Sequence, residues 1–219
     1  MQAKPTSPTA ADLTLPLPSG GKPVVTRKRS PRVAARRDRM HENVLRIAAK
    51  MFLEKGIENV SVEEILDAAD LARSTFYSFF ESKRDLLVQI FRPIFEVGAA
   101  HMKGLIGQPP AQVAYGVIDM FPMLWERFGD ALLLRVPNQE FSLIAQWHDS
   151  WVGALNACLV GVEREGILRN GSAAYTQRLI ARSAVDVVRV YRHDPGFKRL
   201  YRSTMEGMLL TDRAHRSEG

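Results

Sequence analysis

From Asp38 onward the chain repeats one pattern: apolar residues three and four apart with polar residues between them, the period of an amphipathic helix. In "HENVLRIAAKMFLEKG", Val44, Ala48 and Phe52 are spaced by four, Leu45 and Met51 lie beside them, and Gly56 stands where a helix would be capped. In "NVSVEEILDAADL", Ser61 and Glu64 have the spacing of a capping box, followed by Val62, Ile65, Leu66 and Ala69 at helical positions. That pattern predicts a helix of only about two turns. Asp70 and Leu71 predict a tight turn, and a second short helix is expected from about Ala72 to Phe80. Ser82 then caps a longer helix through Leu86, Leu87, Ile90, Phe91, Ile94 and Phe95, kinked or interrupted at Pro93.

The same period continues to the C-terminus. "PPAQVAYGVIDMFPMLWERFG" predicts a helix from about Pro110, disturbed at Pro122. "NQEFSLIAQWHDSWVGALNACLVGVEREG" predicts one long helix ending at Gly166, and "SAAYTQRLIARSAVDVVRVYR" another after the turn "RNGS". "GFKRLYRSTMEGMLL" predicts the last, with Phe197, Leu200, Tyr201, Met205, Met208 and Leu209 along one side. No segment alternates as a strand would, and no internal repeat is visible. The expected fold class is all-α.

Residues 1–37 are of another kind, rich in Pro, Ser, Thr, Gly and charge, and are expected to be disordered. Charge sharpens this division. Of a net +6, the stretch "RKRSPRVAARRDR" (27–39) carries seven Arg or Lys against one Asp, residues 1–26 add +1, and residues 40–219 sum to −1. A basic arm on a nearly neutral body suits a polyanionic partner; the plainer reading is a solvated tail that keeps the chain soluble. The 219 residues suffice for one or two domains. No apolar run reaches 18 residues, and the first residues lack the apolar core of a secretory signal. The lone Cys158 has no internal disulfide partner, so a reducing cytoplasm is expected.

Two short helices around a tight turn form a helix-turn-helix unit. Its second helix, in "ARSTFYSFF", divides its faces. Phe76 and Phe80 are four apart and can anchor it, while Arg73, Ser74, Thr75 and Ser78 fall on other faces and can address base edges and phosphates. Tyr77 can point its hydroxyl at a phosphate, and Lys83 adds charge at the start of the next helix, where an anion is already favoured. The competing reading is an aromatic-rich core helix with incidental polar residues.

"AAKMFLEKG", "VSVEEI", "ARSTFYSFF" and "SKRDLL", within about residues 43–87, together resemble the N-terminal domain of the TetR family of bacterial transcriptional regulators. The resemblance implies a helix-turn-helix followed by a larger helical domain that binds an effector and forms a homodimer. The expected division is a basic arm over 1–37, a DNA-binding domain over 38–84, an effector-binding and dimerisation domain over 85–212, and a flexible tail over 213–219. Carried onto this chain, Ser61 and Tyr77 fall on phosphate-holding positions. Arg73, Ser74 and Thr75 fall on the recognition helix, and Lys83 on the lysine that opens the fourth helix. Three positions depart from the family pattern: Asp70 stands where glycine is usual in the turn, Ala72 replaces a Ser or Thr cap, and Phe79 takes a place often held by histidine or another polar residue.

In the family, the last two long helices pair with their copies, which implies an interface of Val185, Val188, Phe197, Tyr201, Met205 and Met208. Phe121, Met123, Trp125, Phe128, Phe141, Trp147 and Trp151 give the second domain a high aromatic density, which points to a pocket for a large apolar or aromatic ligand or else simply fills its core. His148, Arg135, Asn138 and Glu140 are the candidate polar groups there. Arg27, Lys28, Arg29, Arg32, Arg36 and Arg37 precede the helix-turn-helix and can reach flanking DNA, where a narrow A·T-rich minor groove favours arginine.

The expected function is a ligand-responsive, sequence-specific regulator. It acts in the bacterial cytoplasm at the nucleoid, as a repressor released from a near-palindromic double-stranded operator by a small apolar or aromatic effector. The alternative is an effector-independent regulator or activator. An enzyme is not expected. The chain has no HExxH, no CxxC and no glycine-rich phosphate loop, and His41-Glu42 lacks the second histidine of a zinc motif. No catalytic residue, metal or cofactor is therefore assigned.

Overall fold

The computed structural model describes residues 31–212 and Ala214. Among these, eight α-helices follow in order: α1 Pro31–Lys55, α2 Val62–Ala68, α3 Arg73–Tyr77, α4 Lys83–Leu105, α5 Pro110–Phe128, α6 Ala145–Arg164, α7 Ala173–Tyr191 and α8 Phe197–Leu209. Two 3-10 turns, Gly129–Leu133 and Asn138–Leu143, join α5 to α6. The fold is all-α. Among the described residues, an isolated antiparallel bridge between Leu168 and Leu210 is the one β feature, and it ties the loop after α6 to the end of α8.

The elements follow from local signals. Ser61 caps α2, and Glu64 completes a capping box by accepting from the Ser61 backbone N–H at 2.8 Å. At the other end Leu71 N–H reaches Leu66 O at 3.0 Å and Asp70 N–H reaches Asp67 O at 3.3 Å, the paired bonds of a Schellman motif. Asp70 occupies its left-handed position with φ 48°, a conformation Asp tolerates better than most residues. Ser82 caps α4 by accepting from the Asp85 N–H at 3.1 Å.

Five elements differ from the sequence expectation. α1 already includes Pro31, the first described residue, so Arg32, Arg36 and Arg37 lie on a helix and not on a disordered arm. α3 ends at Tyr77 with Ser78 as its C-cap, although Phe80 is still drawn into the core at 1% exposure. α4 and α5 run through Pro93 and Pro122 without ending, each proline removing a single main-chain donor. The helix expected from Asn138 begins only at Ala145, because the preceding 3-10 turn brings Ile144 into the hydrophobic cluster of α1–α4.

Two clusters of buried apolar residues make up the interior. The first joins Val44, Ala48 and Phe52 of α1 to Ile65, Phe76 and Phe80, and to Leu86, Leu87, Ile90 and Phe91 of α4. The second is larger and gathers α5–α8 around Ile94, Ala99, Met102 and Leu105, also of α4. One helix therefore serves both. Residues 131–136 bridge them as well: Leu132 and Leu133 belong to the second cluster, and Leu134 and Val136 pack on the first.

Candidate nucleic-acid interface and effector cavity

Phe76 is fully buried and anchors α3, with its ring 5.0 Å from Phe80 and edge-on to Tyr77 at 5.4 Å. This leaves Arg73, Ser74, Tyr77 and Ser78 exposed, with Thr75 half-buried. Most polar groups around α3 already have a partner. Arg73 Nη1 lies 2.7 Å from Glu63 Oε1, and its guanidinium sits over the Tyr77 ring. Ser78 Oγ donates to Thr75 O at 2.7 Å. Ser61 is engaged in its capping box. The Lys55 ammonium and then the Ser61 backbone N–H pull the Glu64 pKa down to about 2.

Two of the candidate cations make contacts within the protein. Lys83 is half-buried, donates from Nζ to the Ile57 carbonyl and lies 5.7 Å over the Phe52 ring, so it ties α4 to the turn after α1. Arg37 donates to Ser78 O at 2.6 Å, and its guanidinium lies 4.5 Å from the Phe79 ring centroid. It braces the C-terminal end of α3. Phe79, at a position the family often fills with a polar residue, serves as the platform for that arginine. Arg32 and Arg36 are exposed on the first turns of α1, while Arg27 and Arg29 lie outside the described residues.

Three contributors were not singled out from sequence. His41 stacks on Phe80 at 5.1 Å and donates from Nε2 to Gln89 Oε1 at 2.7 Å. Gln89 Nε2 in turn donates to Phe79 O at 3.2 Å and to Asp85 Oδ2 at 3.1 Å. Glu63 holds Arg73. The spacing held a signal for His41, which lies three before Val44 and four after Arg37 and so shares the inward face of α1. Nothing local marked Gln89 or Glu63.

A cavity of about 220 Å³ is lined by residues of both clusters, mostly of the larger. Phe91, Ile94 and Phe95 of α4, Phe121 of α5, Ala131, Leu132, Leu134 and Val136 form part of its wall. His148, Trp151, Val152 and Leu155 of α6 and Gln177, Ile180, Ala181 and Val185 of α7 complete it. Its lining has no Asp, Glu, Lys or Arg, and its polar side chains are His148 and Gln177. His148 Nδ1 is buried with no hydrogen-bond partner; Asp149 Oδ1 stands off at 3.6 Å. Trp151 lies directly against Gly98 of α4, where an added Cβ would fall 1.9 Å from its ring.

Of the expected pocket residues, the structure brings Phe121, His148 and Trp151 to the cavity. Trp125 and Phe128 pack on the large cluster away from it. Trp147 packs on the α1–α4 cluster beneath Arg92, and Phe141 is 39% exposed with its ring 5.0 Å from His148. Arg135 pairs with Asp186 and Glu140 with Arg84, both away from the lining. Gln177 was not foreseen.

Four of the six expected dimer residues are packed within the protomer. Val188, Phe197, Tyr201 and Met205 are buried in the protomer's own core, Tyr201 between Phe197 and Phe121. Burial, and secondarily Asp119, raise the Tyr201 hydroxyl pKa. Val185 lines the cavity, and Met208 is half-buried. The outward face of α7 instead shows Tyr175, Leu179 and Val190, the last 74% exposed.

Among the described residues, no group of three or more His, Cys, Asp or Glu is placed to hold a metal, and no helix is long and apolar enough to cross a membrane. Residues 44–90 match the family model for bacterial regulatory proteins of the tetR family. This matched stretch is the helix-turn-helix, a DNA-binding domain of the tetR family of transcriptional regulators. It is similar to the transcriptional repressor KstR2 of Rhodococcus jostii, 23% identical over 162 residues that cover 68% of this chain and 78% of that protein. Among solved structures it is similar to the ketosteroid regulator KstR2 of Mycobacterium tuberculosis, with 20% identity, coverage of 81% and 96%, and a TM-score of 0.65. It is also similar to AibR in complex with isovaleryl coenzyme A and operator DNA, with 16% identity, coverage of 78% and 98%, and a TM-score of 0.61.

Proposed function

We propose that this regulator is a ligand-responsive repressor: a homodimer that holds a near-palindromic operator and releases it when a small apolar or aromatic molecule enters the cavity. Residues up to 84 serve as the DNA-binding unit, and residues 85–212 bind the effector and dimerise. The observation that carries this reading is the double duty of α4. Its residues Leu86, Leu87 and Ile90 belong to the core under the recognition helix, and its next turns, Phe91, Ile94 and Phe95, line the cavity. A molecule in the cavity presses on the same helix that packs under α3. The segment 131–136 supports a second route, touching the cavity on one side and the α1–α4 cluster on the other.

Recognition is assigned to Arg73, Ser74 and Thr75, with Tyr77 at a phosphate and Arg32 and Arg36 on flanking DNA. The dimer forms through the outward face of α7 with Tyr175, Leu179 and Val190, and through Met208 of α8. A two-fold axis there sets the recognition helices about 34–36 Å apart, or at a compatible larger spacing. AibR, similar in fold, was solved in complex with isovaleryl coenzyme A and operator DNA, which supports a ligand site and a DNA site in one chain of this fold. The test is selection of duplexes from a randomised pool. A two-fold motif, lost on adding an apolar ligand that shifts tryptophan fluorescence, is the expected result. A motif that no ligand disturbs would leave an effector-independent regulator.

A further inference from the structure

The pairing of Arg73 with Glu63 joins the first residue of the recognition helix to the first turn of the helix before it. Nη1 and Oε1 are 2.7 Å apart, and the two side chains are 64% and 60% exposed. The neighbouring carboxylate, Glu64, is engaged within its own helix end, where it closes the α2 cap and receives Lys55. Glu63 instead turns toward α3.

Neither stability nor affinity explains that arrangement. An ion pair so exposed adds little to stability. A carboxylate on a surface that meets a polyanion lowers affinity, because it opposes every phosphate nearby. What it can improve is selectivity. A guanidinium carries five N–H donors in a rigid planar fork. With Nη1 held by Glu63 and the Tyr77 ring 5.6 Å from Cζ, Arg73 is fixed in direction and keeps its remaining donors for a base edge. Unheld, the same side chain follows the nearest phosphate and reads nothing.

We propose that Glu63 is a positioning residue for sequence readout: its carboxylate holds the Arg73 guanidinium toward a guanine edge in the major groove and withholds it from the phosphates. This rests on the DNA-binding reading above. Glu63→Ala is therefore expected to make the protein bind more DNA, less selectively.

The experiment is duplex selection and competition binding with the full chain, comparing wild type with Glu63→Ala, Glu63→Gln, Arg73→Ala and the Glu63→Ala/Arg73→Ala double variant. Thermal melting of each confirms folding. Arg73→Ala should reduce the preference for guanine at one position per half-site by about tenfold or more. Glu63→Ala should reduce it nearly as far while raising affinity for non-cognate duplex several-fold. The double variant should discriminate no worse than Arg73→Ala alone, and Glu63→Gln, which keeps an acceptor at the same reach, should retain part of the preference. The proposal is overturned if Glu63→Ala leaves the guanine preference intact, if the two losses multiply in the double variant, or if Arg73→Ala relaxes no position. A wild-type chain that selects no motif overturns the DNA-binding reading itself, which separates the two failures.

Discussion

The surface around α3 and the cavity between α4 and α7 treat polar atoms in opposite ways. Around α3 they are dense and held: Arg73 by Glu63, Arg37 by the Ser78 carbonyl, Lys83 by the Ile57 carbonyl, Ser61 by Glu64. In the cavity they are sparse, and the His148 Nδ1 atom has no hydrogen-bond partner. The first region is organised before any partner arrives, which suits a surface that must present a fixed set of donors. The second is shaped mainly by apolar walls, with His148 and Gln177 as its polar side chains. The difference assigns specificity to hydrogen-bond geometry on one side and to shape on the other.

Substitutions in the two cores should separate these regions. Phe76→Ala removes a fully buried ring from the first cluster and should cost about 3–5 kcal/mol, abolishing DNA binding. Gly98→Ala should act on the other region. Its Cβ would strike Trp151, and the crowding should cost about 1–3 kcal/mol and push the ring into the cavity. Ligand binding, read by tryptophan fluorescence, should fall while the selected DNA motif keeps its sequence. A Gly98→Ala chain that binds ligands normally would show that Trp151 is not a cavity wall that matters.

Arg37→Ala removes the brace on α3 and should weaken operator binding by about 1 kcal/mol, roughly fivefold. Arg37→Lys should recover only part of this, since an ammonium cannot reproduce the planar stack on Phe79. Equal binding by Arg37→Ala, measured by fluorescence anisotropy, would remove that role. The exposed Arg32 and Arg36 should act through salt alone. Losing both should flatten the slope of log affinity against log salt by about 2 per subunit at most, without altering the motif. The smallest effect concerns pH. Glu64 is depressed to about 2, so its contribution to the α2 cap is present above its ordinary value near 4.5 and is lost as pH falls toward 2. Thermal melts of Glu64→Gln and wild type, followed by circular dichroism, should therefore differ most above pH 4.5 and converge as pH falls toward 2.

How far these regions could be read in advance follows the same division. Ser61 with Glu64, the Phe76/Phe80 pair and the Asp70 turn are signals within a few residues of one another, and each sits in the structure as the spacing implied. The cavity depends on contacts between helices far apart in sequence. Aromatic density marked Phe121 and Trp151 but equally marked Trp125 and Phe128, which pack elsewhere. Gln177 carried no local sign. The dimer face of the last two helices was implied by the family resemblance and by their hydrophobicity, and hydrophobicity does not distinguish a face turned to the protomer's own core from one turned to a partner. Val188, Tyr201 and Met205 are of the first kind.

The central claim is that cavity and recognition helix are coupled through α4. It is tested most directly by measuring operator affinity with and without a saturating uncharged aromatic ligand, such as indole or naphthalene, that shifts the tryptophan fluorescence. A coupling of about 1–3 kcal/mol should lower operator affinity by roughly 5- to 150-fold, and saturating operator should weaken the ligand by the same factor. A ligand that fills the cavity and leaves operator affinity unchanged would contradict the account.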